Sequence, residues 1–275
     1  TFGCPTRTRS RPASIRPGTE KWRARWREGY TPEALAGLAR GVALACDLGV
    51  RFGYALSPVS MSYATPEDLC LIQERFQSFY NLGVRDFALF FDDIAAGFQY
   101  DADAREYGTS ARTQAGVANR VAAWLHALDP ACNLAICPTE YYGVPPFGAY
   151  LHELGACLLP EIDIFSTGPQ VCCPAISAAD VQAFAAVAGR APILWDNYPV
   201  NDLAMQFELH LEPVRGRAAG LAGAVKGVGS ALDRLANYFL DMAEEMFPVI
   251  EVDAGRGIEF VLNRGATLRL GQGRT

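Results

Sequence analysis

No apolar run in this sequence reaches the roughly 18 residues that a membrane-spanning helix needs, and the first twenty residues hold no apolar core of the signal-peptide kind. The expectation is a protein with no membrane partner, located in the cytoplasm. Histidine is scarce: His126, His152 and His210 are the only 3, they lie far apart, and none belongs to an H-E-x-x-H pattern. A zinc site is therefore not expected. Cysteine is present in 8 copies but without any C-x-x-C pair. Cys46, Cys70, Cys132, Cys137, Cys157, Cys172 and Cys173 mostly sit inside apolar segments, which points to buried reduced thiols rather than disulfides or metal ligands. Positive charge is also in deficit. A formal net charge of -6 argues against nucleic acid as a partner.

What is present is a large supply of apolar residues, 50% of 275, enough to bury one sizeable α/β core. Residues 1–21 stand apart from the rest: TFGCPTRTRSRPASIRPGTE is rich in Arg, Pro, Thr and Ser, has no apolar period, and is expected to be disordered. From Trp22 the texture changes. A helix is expected from Thr31-Pro32-Glu33 to Leu48, and a strand-helix alternation then follows. Strands are expected in VRFGYALSP from Val50, DFALFFDD from Asp86, NLAICPTE from Asn133, IDIFSTGP from Ile162 and APILWDNYPVND from Ala191. A weaker candidate is GLAGAVKGV from Gly220. Helices are expected from Pro66 to Gly83, Arg112 to Leu128, Ala149 to Leu158, and Ser177 to Gly189 with Ser177 as N-cap. Such alternation specifies a parallel sheet covered by helices. Residues 22–230 are thus expected to form one α/β domain of the TIM (β/α)8-barrel type, with six strands legible and the N-terminal ones not. Residues 231–275 read as an appendage, a helix from Leu232 to Met246 followed by short alternating runs.

The stretch Asp86 to Ile94, DFALFFDDI, organises the chain. Five apolar residues run into two adjacent carboxylates and the pattern stops, as a buried parallel strand does when it delivers its last residues to an open end. Neighbouring side chains on a strand point to opposite faces, so Asp92 and Asp93 serve one ligand only where the chain leaves the sheet. The bland alternative is that one caps a helix and the other is solvated. Polar residues gather at the other strand ends too: Ser57; Thr139, Glu140 and Tyr141; Ser166 and Thr167; and Trp195, Asp196, Asn197, Asn201 and Asp202. Several clusters at equivalent strand ends converge on one bowl, where barrels keep their sites.

Paired carboxylates with aromatic and amide neighbours suit glycoside cleavage, in which an acid protonates the leaving oxygen and something stabilises the positive anomeric carbon. Adjacent residues on one strand end do not straddle a sugar as the usual pair does. They can cooperate if the nucleophile belongs to the substrate, as when a 2-acetamido oxygen attacks the anomeric carbon of N-acetylglucosamine. Two close negative charges also raise the pKa of one partner and keep a proton available.

FALFFDDI, CPTEYYG, STGPQV and LWDNYPVND, in this order and spacing, resemble the catalytic domain of glycoside hydrolase family 84, the O-GlcNAcases and related β-N-acetylglucosaminidases once labelled hyaluronidases. WRARWREGY, YALSP and RGRAAGLAGAVKGV fit as well, so the resemblance covers about Trp22 to Val228. It implies a retaining hydrolase acting on terminal N-acetylglucosamine carried by a glycoprotein or glycan, through an oxazoline and without metal or organic cofactor. It implies that Asp92 polarises the acetamido group and that Asp93 is the general acid/base. Tyr141 would bond near the reacting centre, Trp195 would wall the acetamide pocket, Asn197 would contact the substrate, and Asp202 would grip distant hydroxyls. The resemblance has departures. The family's opening strand with a Gly-aromatic-Tyr-Gly type motif and its lysine-bearing second strand are not readable in Thr1 to Lys21, and the Asn-Pro segment is missing after Val228. Two rivals follow: a catalytically weak or inactive N-acetylglucosamine-binding protein with a truncated barrel, and a Mg²⁺-dependent enzyme using Asp92, Asp93, Glu140 and Asp202 as oxygen ligands.

Overall fold

The computed structural model describes residues 25–47, 51–92, 94, 97–197, 215–223 and 227–230. The expectations for residues 1–21 and 231–275, and for the side chains of Asp93 and Asp202, lie outside them. The elements run α1 (Pro32–Asp47), β1 (Gly53–Leu56), α2 (Pro66–Asn81), β2 (Asp86–Phe90), α3 (Asp101–Tyr107), α4 (Ser110–Leu128), β3 (Asn133–Cys137), α5 (Ala149–Cys157), β4 (Asp163–Ser166), α6 (Ala178–Ala188), β5 (Ile193–Asp196), a 3-10 turn (Ala219–Gly223) and β6 (Gly227–Ser230). All neighbouring strands pair in parallel. Their spatial order is β1-β2-β3-β4-β5-β6, the order of the sequence. A doubly wound sheet would reverse direction at a switch point; an arc without reversal is how barrel strands are laid down. The expected α/β class and parallel order are therefore present, with six strands among the described residues. Among these residues no helix is long and apolar enough to cross a membrane.

Strand periodicity divides the sheet into two faces. Tyr54 and Leu56 lie in register with Phe87 and Leu89, which pair with Leu134 and Ile136. This face meets the helices. On α2, Ile72, Phe76 and Phe79 have 0% exposure; Phe79 stacks on Tyr54 with centroids 3.6 Å apart and Phe76 on Phe87 at 4.8 Å. Burying each phenylalanine contributes about 1.5–3 kcal/mol. On α4 the buried stripe Ala111, Ala115, Ala118, Ala122 and Leu125 follows the helical period, and its alanines let that helix lie close to the core. The close approach of α5 to α6 needs Gly155, where a Cβ would come within 2.7 Å of the Val187 carbonyl oxygen. The opposite face carries Ala55, Ala88 and Ala135 in one row and Phe90 beside Cys137 in the next.

The sequence reading needs correction in four places. α3, a seven-residue helix, was not expected, because DADAREY has no apolar stripe; it is held through Asp103, 1% exposed, whose Oδ1 accepts the Ala64 amide at 2.7 Å. α4 starts at Ser110 rather than Arg112, N-capped by the Thr109 side chain, which accepts from Arg112 N at 3.3 Å. The expected strand from Gly220 is a 3-10 turn followed by the shorter β6, since an Ala/Gly run has no branched side chains to hold it extended. The seven described cysteines are all without disulfides, but Cys46, Cys157 and Cys172 are exposed while Cys132, Cys137 and Cys173 are buried. An apolar neighbourhood in the sequence of an amphipathic helix does not fix which face a thiol occupies. The Ser177 cap is present as expected, as a full capping box with Asp180.

Candidate functional site

The site forms where the sheet's C-terminal ends are laced together, loop to loop. Ser57, just past β1, donates through Oγ to the Phe90 carbonyl of β2 at 3.1 Å. Phe91 N donates to Cys137 O at 2.8 Å, and Thr139 Oγ1 donates back to Phe91 O at 3.0 Å, tying the exits of β2 and β3. Thr167 N donates to Tyr141 O at 3.0 Å and Gly143 N to Gly168 O at 2.9 Å, tying β3 to β4. Gly168 adopts φ +89 in this crossing, a conformation that disfavours any side chain. Asn197 closes the series by donating Nδ2 to the Val171 carbonyl at 2.7 Å, tying β5 to the loop after β4. Hydrogen bonding thus joins the exits of five strands into one continuous rim.

On this rim, the described candidates take the following places. Asp92 sits in the turn two residues beyond the end of β2 and is partly buried. Tyr141 follows β3, partly buried, with its ring against Tyr142 at 5.1 Å. Trp195 lies on β5, 7% exposed, and meets Phe90 of β2 at 5.3 Å and Phe165 of β4 at 5.2 Å, both edge-on; Phe90 and Phe165 meet at 6.0 Å. Three strands therefore place an aromatic cluster on the face away from the helices, beneath the rim. Such a floor excludes water and favours the apolar side of a sugar ring or its acetamide methyl. Asn197 follows directly, its amide nitrogen engaged as above. Among the described residues no group of three or more His, Cys, Asp or Glu gathers to hold a metal ion.

Asp196, grouped by sequence with the rim residues, has a different role. It alternates with Trp195 and is 8% exposed. Arg217 grips its carboxylate in bidentate fashion, Nε to Oδ2 at 2.7 Å and Nη2 to Oδ1 at 2.6 Å, which holds the arginine's charge more firmly still. Arg217 also donates to the carbonyls of Pro174 and Arg215. The pair locks the end of β5 and the orientation of Trp195 and Asn197. Arg217→Met should cost about 3 kcal/mol in urea unfolding, because a nearly buried carboxylate is left unpaired. Arg217→Met combined with Asp196→Leu should recover most of that loss; a double variant as unstable as the single one would contradict it.

Three contributors were missed by the sequence reading. Arg217 lies 21 residues from its partner, and nothing along the chain pairs its RGR segment with Asp196. Gln114 did carry a signal that could have been used: it is a polar residue on the buried stripe of α4, 3% exposed, where an apolar one is expected. Tyr150 looks like any aromatic in a short helix, yet its hydroxyl meets Gln114 and Thr139. Two hollows need separating from the site. A cavity of about 20 Å³ behind the rim, lined by Ser60, Asp103, Thr113, Gln114 and Thr139, has the size of a single water. An open hollow of about 470 Å³ lies at the opposite end of the strands, beside Val42, Arg51, Asp86 and Asn133. That is the wrong end for a ligand in parallel α/β architecture.

With this geometry described, similarity to known proteins can be set beside it. The profile of the family described as NAGidase, beta-N-acetylglucosaminidase, matches residues 18–233. Protein O-GlcNAcase from Rattus norvegicus is 32% identical over 214 residues, an alignment spanning 76% of this chain and 23% of the relative, and the Mus musculus protein gives the same figures. The chain thus matches less than a quarter of the length of these curated relatives. A solved structure of a Thermobaculum terrenum O-GlcNAc hydrolase carrying an Asp-to-Asn substitution superposes with a TM-score of 0.72 and 31% identity, covering 81% of this chain and 50% of that one.

Proposed function

The chain belongs to the β-N-acetylglucosaminidase family, and from that premise we propose that it is a retaining glycoside hydrolase that removes terminal O-linked N-acetylglucosamine, using the sugar's own acetamide as nucleophile. The observation that carries this reading is the placing of Asp92 at the open end of β2, above an aromatic floor that Phe90, Phe165 and Trp195 assemble from three strands. The six strands belong, in this reading, to a (β/α)8 barrel, and the bowl at its C-terminal mouth receives the sugar.

In the first step the Asp92 carboxylate accepts a hydrogen bond from the acetamide N–H. That pushes electron density onto the carbonyl oxygen, which bonds to the anomeric carbon from below. Asp93, protonated, gives its proton to the glycosidic oxygen as the bond to the aglycone breaks, leaving a free alcohol and a protonated oxazoline (oxazolinium) whose N–H stays hydrogen-bonded to the Asp92 carboxylate. In the second step Asp93, now a carboxylate, takes a proton from water as that water opens the oxazolinium at the anomeric carbon and restores the neutral acetamide. Two inversions give net retention. Asp92 carries its weight in both transition states because positive charge develops on the acetamide nitrogen each time.

The remaining roles follow from position. Trp195 forms the wall against which the acetamide methyl packs, held by edge-on contacts to Phe90 and Phe165. Tyr141 donates its hydroxyl near the reacting centre. Asn197 has one amide hydrogen committed to Val171 O, so its Oδ1 serves as the acceptor toward a sugar hydroxyl. Asp202 grips hydroxyls far from the scissile bond. The substrate is a glycoprotein or glycan bearing a terminal N-acetylglucosamine.

Turnover of an aryl N-acetyl-β-glucosaminide by the purified chain, with EDTA present, tests the reading. Hydrolysis is expected, with the β-anomer appearing first by NMR. Binding of N-acetylglucosamine without turnover would favour the inactive sugar-binding protein, and loss of activity restored by Mg²⁺ would favour the metal-dependent one.

A further inference from the structure

We propose that Gln114, Thr139 and Tyr150 form a closed hydrogen-bonded ring that positions Asp92 by holding the carbonyl of Phe91, the residue just before it; the inference rests on the hydrolase reading above. Thr139 N donates to the Tyr150 hydroxyl at 3.0 Å. The Tyr150 hydroxyl donates to Gln114 Oε1. Gln114 Nε2 donates to Thr139 Oγ1 at 2.8 Å. Thr139 Oγ1 then passes its one proton out of the ring, to Phe91 O at 3.0 Å.

The ring runs in only one sense. A hydroxyl has one proton to give, and Thr139 can direct its proton to Phe91 only because Gln114 presents N–H to it rather than carbonyl. Gln114 presents N–H because its carbonyl oxygen already accepts from Tyr150. Burial pushes the Tyr150 hydroxyl's pKa well above its ordinary value, so it remains a donor over the whole working pH range. Gln114 comes from α4, Tyr150 from α5 and Thr139 from the exit of β3. Each of these elements is anchored in the core, and together they address a single atom on the exit of β2.

Phe91 is held at four points: its side chain is 0% exposed in the core, its N–H donates to Cys137 O at 2.8 Å, and its C=O accepts from Thr139 Oγ1 at 3.0 Å, the shorter bond, and from the Ile94 amide at 3.3 Å. Fixing both polar atoms of Phe91 fixes the peptide plane that launches Asp92. A partly buried polar ring costs desolvation and gives back hydrogen bonds of similar worth, so its contribution is orientation more than stability. A carboxylate displaced by a fraction of an ångström still binds sugar but aligns the acetamide oxygen poorly for attack. The three side chains are therefore positioning residues.

The test is a double-mutant cycle. Thr139→Val keeps the shape and removes the donor; it should lower kcat on an aryl N-acetylglucosaminide by about 10- to 100-fold with KM near its wild-type value. The loss should be equal for good and poor leaving groups, and Thr139→Ser should restore most of it. In an Asp92→Asn background, Thr139→Val should have little further effect, because the ring acts through Asp92. Wild-type kcat in folded Thr139→Val, or a loss that adds in full to that of Asp92→Asn, would overturn the inference. A wild-type chain without turnover would sink the hydrolase reading alone. The ring is then judged by hydrogen exchange of the peptide containing Asp92 in the unliganded chain: faster exchange in Thr139→Val but not in Thr139→Ser supports it, and unchanged exchange refutes it.

Discussion

Asp92→Asn is expected to lower kcat/KM on every N-acetylglucosaminide by about 100- to 1,000-fold, whatever the leaving group. The asparagine amide has nearly the carboxylate's shape and keeps an oxygen for the acetamide N–H, so the sugar should still bind. What disappears is the negative charge opposite the acetamide nitrogen, which becomes positive in both transition states. That loss is the same for an aryl and an alkyl aglycone, since it concerns the nucleophile. Steady-state kinetics across aglycones of graded acidity would show a constant ratio between wild type and variant. A ratio that changes steadily with leaving-group acidity would mean that Asp92 acts on the aglycone and that the proposed roles are exchanged.

Asp93→Asn should behave in the opposite way. On alkyl glycosides, whose oxygen leaves only when protonated, the loss should reach about 100- to 10,000-fold. On strongly activated aryl glycosides the first step needs no acid and the loss of kcat/KM should be small. The slower second step, now without its base, should then limit kcat and produce a burst of released phenol. The pH profile offers an independent check. A general acid works while protonated, so wild-type kcat/KM falls as pH rises through its titration, and Asp93→Asn should lack that limb on activated substrates. Equal leaving-group dependence in the two aspartate variants would refute both assignments.

The parts of the fold that were legible in sequence are those set by local chemistry. Ser177 with Asp180 three residues later encodes a capping box, and the box is there. The apolar run of residues 87–91 encodes a strand buried on both faces, and β2 pairs on both sides. Of the clusters at strand ends, Ser57, Thr139, Tyr141, Thr167 and Asn197 take part in the bonds of one rim. Features that depend on distant partners were not legible. α3 exists because Asp103 finds the Ala64 amide, and no windowed pattern reports that. Asp196 counted as a rim residue until Arg217 was seen holding it.

The burial of thiols shows the same division. Cys137 lies on a central strand and is buried; Cys46 and Cys157 lie on helices, where the facing side depends on what the helix packs against, and are exposed; in the loop after β4, Cys173 is buried and its neighbour Cys172 exposed. The Asn197 amide likewise gave no hint in sequence that the Val171 carbonyl would claim one of its hydrogens.

The sequence by itself determined the family, the strand-helix alternation and which strand ends gather polar residues. These depend on residue type and short spacing, and both are readable along a single chain. Only the tertiary structure decided which of these polar groups are bonded to one another. Hydrogen bonds such as those joining Gln114, Thr139, Tyr150 and Phe91 reach across 25 to 48 positions between α4, β3 and β2, or join α5 to α4. Their partners are chosen by packing distance, a quantity that no local pattern contains.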